Sequence, residues 1–252
     1  MNISCLPSEN VDPFKEDDPN LWVKIEHLGR YMFARDMLAE KGSKLHLDLG
    51  CATGYGLREL EGVVTKAVGM DYDGSALDVA KSRLEKSTLI HVDLDKEKIS
   101  SKLSEASVST VTAFEFMEHV NDVESLIEDL RRVMVEGGKL IASVPNILFE
   151  KADAQGNPMN PHHDRIFKDG EFKEILESRG FKVEAELGQP LVGDLPLKEK
   201  KLAKKKIIAT KPSRLPEMQK PDVVRAFAYM FAYPQENDIA KTYAYTFVAK
   251  AV

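Results

Sequence analysis

Glu115, Glu118 and His119, in the stretch "FEFMEHV", are two acids and an imidazole at positions i, i+3 and i+4. On a turn or the first winding of a helix those positions share a face. Two readings are open for them. Oxygen and nitrogen donors so grouped suit a divalent cation. Alternatively, Glu115 lines a ligand pocket while Glu118 and His119 cap the next helix or line a second cavity. A further polar group, His162, His163, Asp164 and Arg165, lies in "NPMNPHHDRIF". An unperturbed imidazole titrates at about 6.5, so either of these histidines, or His119, is a candidate general base. His162 and His163 would otherwise complete the cation set or simply order their loop. Third, Asp48, Asp71 and Asp93 each close an apolar run, and the first leads into a glycine-bearing loop, "LDLGCATGYG".

These residues need a frame that gathers several strand ends at one edge. Apolar runs at "KLHLDLG", "KAVGMDYD", "STLIHVDL", "VSTVTAFEF", "GKLIASVPN", "FKVEAELG" and "TYAYTFVAKAV" predict seven strands. Amphipathic stretches at "YGLRELEGVV", "GSALDVAKSRLEK", "DVESLIEDLRRVMVEGG" and "KDGEFKEILESRG" predict helices between most of them. The alternation implies right-handed crossovers and an α/β fold with a doubly wound, mostly parallel sheet. Ligands of such sheets bind beyond the carboxyl ends of the strands, where all three polar groups fall. Residues 1–41 read as an extended lead-in with Pro7, Pro13 and Pro19, followed by a cap helix stopped by Gly42. Residues 42–189 plus 240–252 form the core. The interval 190–239 holds six prolines counting Pro190 and is too long for a structureless loop, so it is expected to fold, with "KPDVVRAFAYMFAYP" as a helix. It reads as a lid or auxiliary subdomain over the sheet's ligand edge, forming part of the acceptor site, and Phe227, Tyr229, Phe231 and Tyr233 either close over a ligand or pack as ordinary core. His27, His46 and His91 are expected to be packing residues.

The glycine loop narrows the ligand. Gly50, Gly54 and Gly56 form G-x-x-x-G-x-G with Ala52 inside, which is not the G-x-G-x-x-G of a dinucleotide site, and no lysine opens the helix as in a P-loop. A carboxylate at Asp48 disfavours a diphosphate and suits a ligand carrying cationic groups, such as the ammonium and sulfonium of S-adenosylmethionine. Asp71 ends the second strand, where an acid accepts from ribose hydroxyls. Asp93 ends the third, placed to accept from an adenine amine.

With these segments in order, the sequence resembles the class I S-adenosylmethionine-dependent methyltransferases. "LDLGCATGYG", "VGMDYD", "VDLD", "FEFMEHV" and "LRRVMVEGGKLIASVPN" carry the resemblance over roughly residues 45–146, and "YAYTFVAKA" extends it. It implies a seven-stranded Rossmann-like sheet whose last strand is antiparallel, with an N-terminal helical cap and an insert before that strand. The cofactor implied is S-adenosylmethionine, contacted by Asp48, Gly50, Cys51, Ala52, Gly54, Asp71, Tyr72, Asp93, Leu94 and Glu115. Ala52 departs from the glycine many members carry. The chain is most similar to the branch of ubiquinone-biosynthesis O-methyltransferases and methyltransferases of sugars and small metabolites. There an arginine of the N-terminal helix grips the cofactor carboxylate, and Arg30 matches it. Some of these relatives use the E-x-x-E-H set for a metal; no resident metal is assigned here.

The acceptor is expected to be a small molecule, with a hydroxyl oxygen as the favoured nucleophile and an amine nitrogen as an alternative. Between Pro196 and Arg225, ten Lys or Arg face three Asp or Glu, a local charge of +7 that leaves −13 on the rest of the chain. The run 198–206, "KEKKLAKKK", would serve an RNA methyltransferase, a lipid surface or an anionic substrate. Nucleic acid is disfavoured, because the run lacks interleaved aromatics that stack bases. Cys5 and Cys51 have no metal-like spacing and suit a reducing, cytoplasmic setting. No apolar run approaches the ~18 residues of a membrane span. A monomer or a homodimer is expected.

Overall fold

The structure, a computed structural model, describes residues 11–17, 20–149, 152–153, 155–190, 194–236 and 242–252. Cys5, Pro7 and Pro19 lie outside the described residues. Seven strands form one sheet: β1 (His46–Leu49), β2 (Ala67–Asp71), β3 (Ser87–His91), β4 (Val108–Phe114), β5 (Met134–Pro145), β6 (Phe181–Gln189) and β7 (Ala244–Ala251). Their order is β3-β2-β1-β4-β5-β7-β6. β7 is antiparallel to both of its neighbours and every other pairing is parallel. The strands number and pair as the sequence implies.

The helices are α1 (Leu21–Lys41), α2 (Tyr55–Leu60), α3 (Gly74–Arg83), α4 (Val123–Val133), α5 (Glu171–Ser178), α6 (Asp194–Lys204) and α7 (Pro221–Phe231). Asp73 and Asp122 cap α3 and α4 by accepting from backbone N–H groups of the first turn. α4 and α5 bury Leu130, Phe172 and Leu176 on one face of the sheet. α1 and α2 cover the other face through Tyr31, Ala34, Leu38 and Leu60.

Two boundaries differ from expectation. The apolar spacing in "DVESLIEDLRRVMVEGG" predicts a helix through Gly138, but α4 ends at Val133 and β5 begins at once, with Met134 opposite Val108. The long-range ladder outweighs the local pattern. Gly137, at φ +75°, lets the strand bend through a register shift before pairing resumes at Lys139. Of the segment after β6, the described residues 194–236 fold against α1. Leu21, Ile25, Leu28 and Met32 form one stripe of α1 that buries Val224, Ala228 and Ala232. The helices approach closely at Gly29, where a Cβ would lie 2.4 Å from the Ala232 carbonyl oxygen. Phe227 and Phe231 pack into this seam. Tyr229 and Tyr233 stack on each other and both donate to Asp36 of α1. The insert therefore buttresses the helix that crosses the ligand edge.

Candidate active site

Strand order reverses between β1 and β4, so the chain leaves these neighbours toward opposite faces and opens a crevice at their carboxyl ends. After β1, Gly50 and Cys51 both donate to the Met70 carbonyl, at 2.9 and 3.1 Å, which folds the loop over the end of β2. Gly50, Ala52 and Gly54 take positive φ of +69°, +45° and +72°. A Cβ at Gly50 would meet the Phe116 ring at 2.8 Å, so this position requires glycine on two counts. The bend aims Ala52 N–H at Asp71 Oδ2 (2.8 Å), while Asp73 N–H takes Oδ1 (2.9 Å). Asp71 is thereby oriented at the loop, and burial raises its carboxyl above the usual range. Cys51 is buried and burial pushes its thiol up, which leaves it a packing group rather than a nucleophile.

Asp48 turns inward, a correction to the expectation that its carboxylate faces a cationic ligand. It is fully buried. The Tyr31 hydroxyl lies 3.0 Å from both carboxylate oxygens, and the Thr112 hydroxyl donates to Oδ1 at 2.6 Å. The chain continues from Thr112 to His46 Nε2 (3.0 Å), from His46 Nδ1 to Thr110 (2.8 Å), and from Thr110 to Ser43 (2.7 Å). Burial pushes the Asp48 carboxyl up to about 7 and the His46 imidazole down to about 3. His46 is thus a hydrogen-bonded core residue, in line with its expected packing role. His27 bonds the Tyr55 hydroxyl (3.1 Å), whereas His91, expected to pack, is exposed and donates to the Tyr72 carbonyl (2.8 Å).

Arg30 reaches the crevice from α1 and is 1% exposed. Its Nη1 donates to Gln189 Oε1 at 2.6 Å and stands 3.9 Å from Glu115 Oε1, while its Nε has no hydrogen-bond partner among the described residues. Gln189, at the end of β6, donates to the carbonyls of Glu26 (2.7 Å) and Ala232 (2.8 Å), tying β6 to α1 and the insert. Glu115 has φ +46°; its N–H donates to Ser143 Oγ (3.0 Å), whose hydroxyl returns to Oε1 (2.7 Å). Around this knot burial pushes the Glu26 carboxyl up to about 7, against the lowering charge of Arg30. Burial, helped by that same charge, pushes His27 down to about 3. Gln189, Ser143 and Glu26 escaped the sequence reading. Gln189 carried a signal, as a polar residue closing a strand; the other two carried none.

Glu118, His119 and His163 converge, with one donor atom from each all within 4.8 Å of one another. The Glu118 carbonyl accepts from Asp164 N–H (2.8 Å), which pins the histidine loop to the turn after β4. His119 Nδ1 donates to the His162 carbonyl at 2.7 Å, and the His119 and His163 rings meet edge to face at 4.9 Å. The E-x-x-E-H set is thus redrawn: Glu115 goes to Ser143 and Arg30, and His163 joins Glu118 and His119. His162 contributes its backbone oxygen to this knot. On the far side of the crevice, Tyr72 is 74% exposed beside Asp71. Asp93 pairs with Lys96 at 2.6 Å, which holds its carboxyl below the usual range, and Leu94 packs against the main core.

The family profile described as a methyltransferase domain matches residues 24–186. A probable S-adenosylmethionine-dependent methyltransferase of Mycolicibacterium smegmatis is 33% identical over 143 residues, which are 56% of this chain and 53% of that protein. A ubiquinone biosynthesis O-methyltransferase of Coxiella burnetii is 28% identical over 122 residues, 48% of this chain and 51% of its own length. The chain spans about half the length of the curated relatives it matches. Among solved structures, an S-adenosylmethionine-dependent methyltransferase from Mesorhizobium loti aligns with 88% of this chain and 97% of its own, with a TM-score of 0.59 and 14% identity.

Proposed function

We propose that this chain, which belongs to the class I S-adenosylmethionine-dependent methyltransferases, transfers a methyl group from that cofactor to a hydroxyl oxygen of a small-molecule acceptor. When bound, the cofactor supplies an electrophilic methyl on a sulfonium. The rest falls to the chain. Asp71, oriented by two backbone N–H groups, accepts from the ribose hydroxyls. Tyr72 offers an exposed ring and Asp93 an acceptor for the base, with Leu94 behind them. Arg30, buried with its Nε unpartnered, takes the carboxylate. Gly50, Ala52 and Gly54 let the backbone approach closely, Glu115 lines the pocket floor, and the buried carboxyl of Asp48 sits behind the loop.

The observation that carries the oxygen acceptor is the Glu118–His119–His163 group. A hydroxyl must lose its proton as it attacks, whereas a neutral amine needs far less help, so a convergent acid–imidazole group fits the former. The His162 carbonyl accepts from His119 Nδ1 and so orients that ring within the group, as a positioned base requires. The Coxiella relative, named an O-methyltransferase, points the same way. A second reading rests on the same observation. One carboxylate and two imidazoles within 4.8 Å, with a carbonyl behind one ring, form a donor set that fits a divalent cation. Glu118, His119 and His163 would hold it, and it would supply Lewis acidity toward the acceptor hydroxyl.

The test is methyl transfer from labelled cofactor to a panel of phenols, sugars and amines. His119→Ala is expected to lower kcat about a hundredfold while leaving the affinity for S-adenosylhomocysteine unchanged. Turnover restricted to amines, or full turnover in that variant, refutes the reading. Loss of activity to a chelator with recovery on adding a divalent ion selects the cation role; indifference to the chelator selects the base.

A further inference from the structure

We propose that the outer face of α6, with the turn that follows it, docks this protein onto an anionic lipid surface. α6 turns Leu195, Glu199 and Ala203 inward. Glu199 accepts from the Trp22 indole N–H (3.0 Å) and from the Ser213 hydroxyl (2.6 Å) and N–H (2.7 Å), which fixes the helix to the first turn of α1. The opposite face sets Leu197, 54% exposed, among the exposed lysines of the 198–206 run. The helix ends with Ile207 N–H bonded to the Leu202 carbonyl and Lys206 N–H to the Ala203 carbonyl, both at 3.0 Å. Lys206 occupies the left-handed position that glycine normally fills there, at φ +55°. That ending delivers Ile207 to solvent, 64% exposed, next to three consecutive lysines.

Charge and placement choose the occupant. The segment 196–225 carries +7 on a chain of net −6, so attraction to an anionic surface is concentrated here. Its exposed apolar groups near the lysines are aliphatic, and 197–207 contains no aromatic ring on which a base could stack. Lysines interleaved with insertable aliphatic side chains match a bilayer interface. α1 has Trp22 in its first turn, beside α6, passes the crevice at Arg30 and ends at the opposite edge before β1. The basic face therefore stands at the crevice end of the molecule. The loop after β5, at that same end, exposes Leu148 (69%) and Met159 (62%). A surface bound there would face the mouth of the crevice.

Flotation of the full chain with vesicles tests this. Binding is expected to phosphatidylcholine vesicles containing phosphatidylglycerol, to fail with phosphatidylcholine alone, and to weaken with salt. Replacing Lys201, Lys204 and Lys205 together by Ala should lower the partition coefficient about a hundredfold, from the attraction each lysine contributes near such a surface. Ile207→Ser should lower it about tenfold. All four side chains are exposed, so the variants should melt with the parent. Absence of binding at low salt, equal binding to neutral vesicles, or partition unchanged in the lysine variant overturns the proposal. So does lysine-dependent binding of single-stranded RNA without vesicle binding. None of these results bears on methyl transfer, because each reads binding alone.

Discussion

Replacing Asp48 by Asn is expected to change how stability responds to pH, by an amount the structure sets. Burial holds the folded carboxyl at about 7, against 3.8 for an ordinary aspartate. A carboxyl whose folded pKa lies above its unfolded value binds more protons in the folded state. Its stabilising contribution is complete below about pH 4 and is lost as pH rises through about 7. Between about pH 5 and pH 7 the unfolded group is ionised and the folded one largely is not, so the loss is roughly 3 kcal/mol. Asparagine keeps the shape and still accepts from Thr112 or Tyr31, but it cannot ionise. Whatever its fixed offset from leaving one amide hydrogen to be placed, Asp48→Asn should gain about 3 kcal/mol on the parent across that interval. His46 runs the other way: its folded pKa of about 3 means its contribution is present above about 6.5 and lost as pH falls. It occurs in both proteins and cancels in the difference. Urea unfolding followed by the fluorescence of the single tryptophan, Trp22, gives the comparison directly. A stability difference that stays constant over the interval refutes the buried-carboxylate argument.

Two other outcomes follow from contacts at the same edge. A Cβ added at Gly56 would lie 2.1 Å from the Tyr31 ring, so Gly56→Ala should cost about 1–3 kcal/mol and lower the melting temperature; an unchanged melting temperature shows that Tyr31 is not held where it reaches Asp48. Asp71→Ala removes the acceptor oriented by Ala52 and Asp73, and calorimetry with S-adenosylhomocysteine should show affinity down by about two orders of magnitude, whereas parental affinity rules out the ribose role.

The frame was legible because its signals are local and repeated. Apolar runs separated by amphipathic stretches give a wound sheet, and the loop after "LHLDL" is placed by its glycines alone. What stayed hidden depends on direction or on distant partners. β1 is buried on both faces, so alternation could not tell whether Asp48 looks toward a ligand or toward Tyr31 of α1. The helix-like spacing through Val133 and Val135 yields to pairing with Val108, which no local window contains. The i, i+3, i+4 rule grouped Glu115 with Glu118 and His119 on the premise of a regular helical winding. A left-handed Glu115 breaks that winding and frees the place that His163 takes. Gln189 acts through Arg30, Glu26 and Ala232, and Ser143 through Glu115, all far away in sequence.

Two of the non-glycine residues at positive φ, Ala52 and Glu115, follow the two strands that flank the reversal in strand order. Each left-handed residue costs roughly 1–2 kcal/mol and persists only where its surroundings over-determine it. Here they do: Ala52 N–H is fixed by Asp71, and Glu115 N–H by Ser143. Glycine at either position would relieve the strain and also release the backbone, since many conformations would then compete with the bent one. With a side chain at both positions, the loop amides and the Glu115–Arg30 contact are fixed by the chain itself, and the ligand proposed above would spend less on ordering them. That gives a physical reason for alanine at position 52, where the family resemblance implies glycine in many members. The departure trades a small strain for a crevice whose two lips are already shaped.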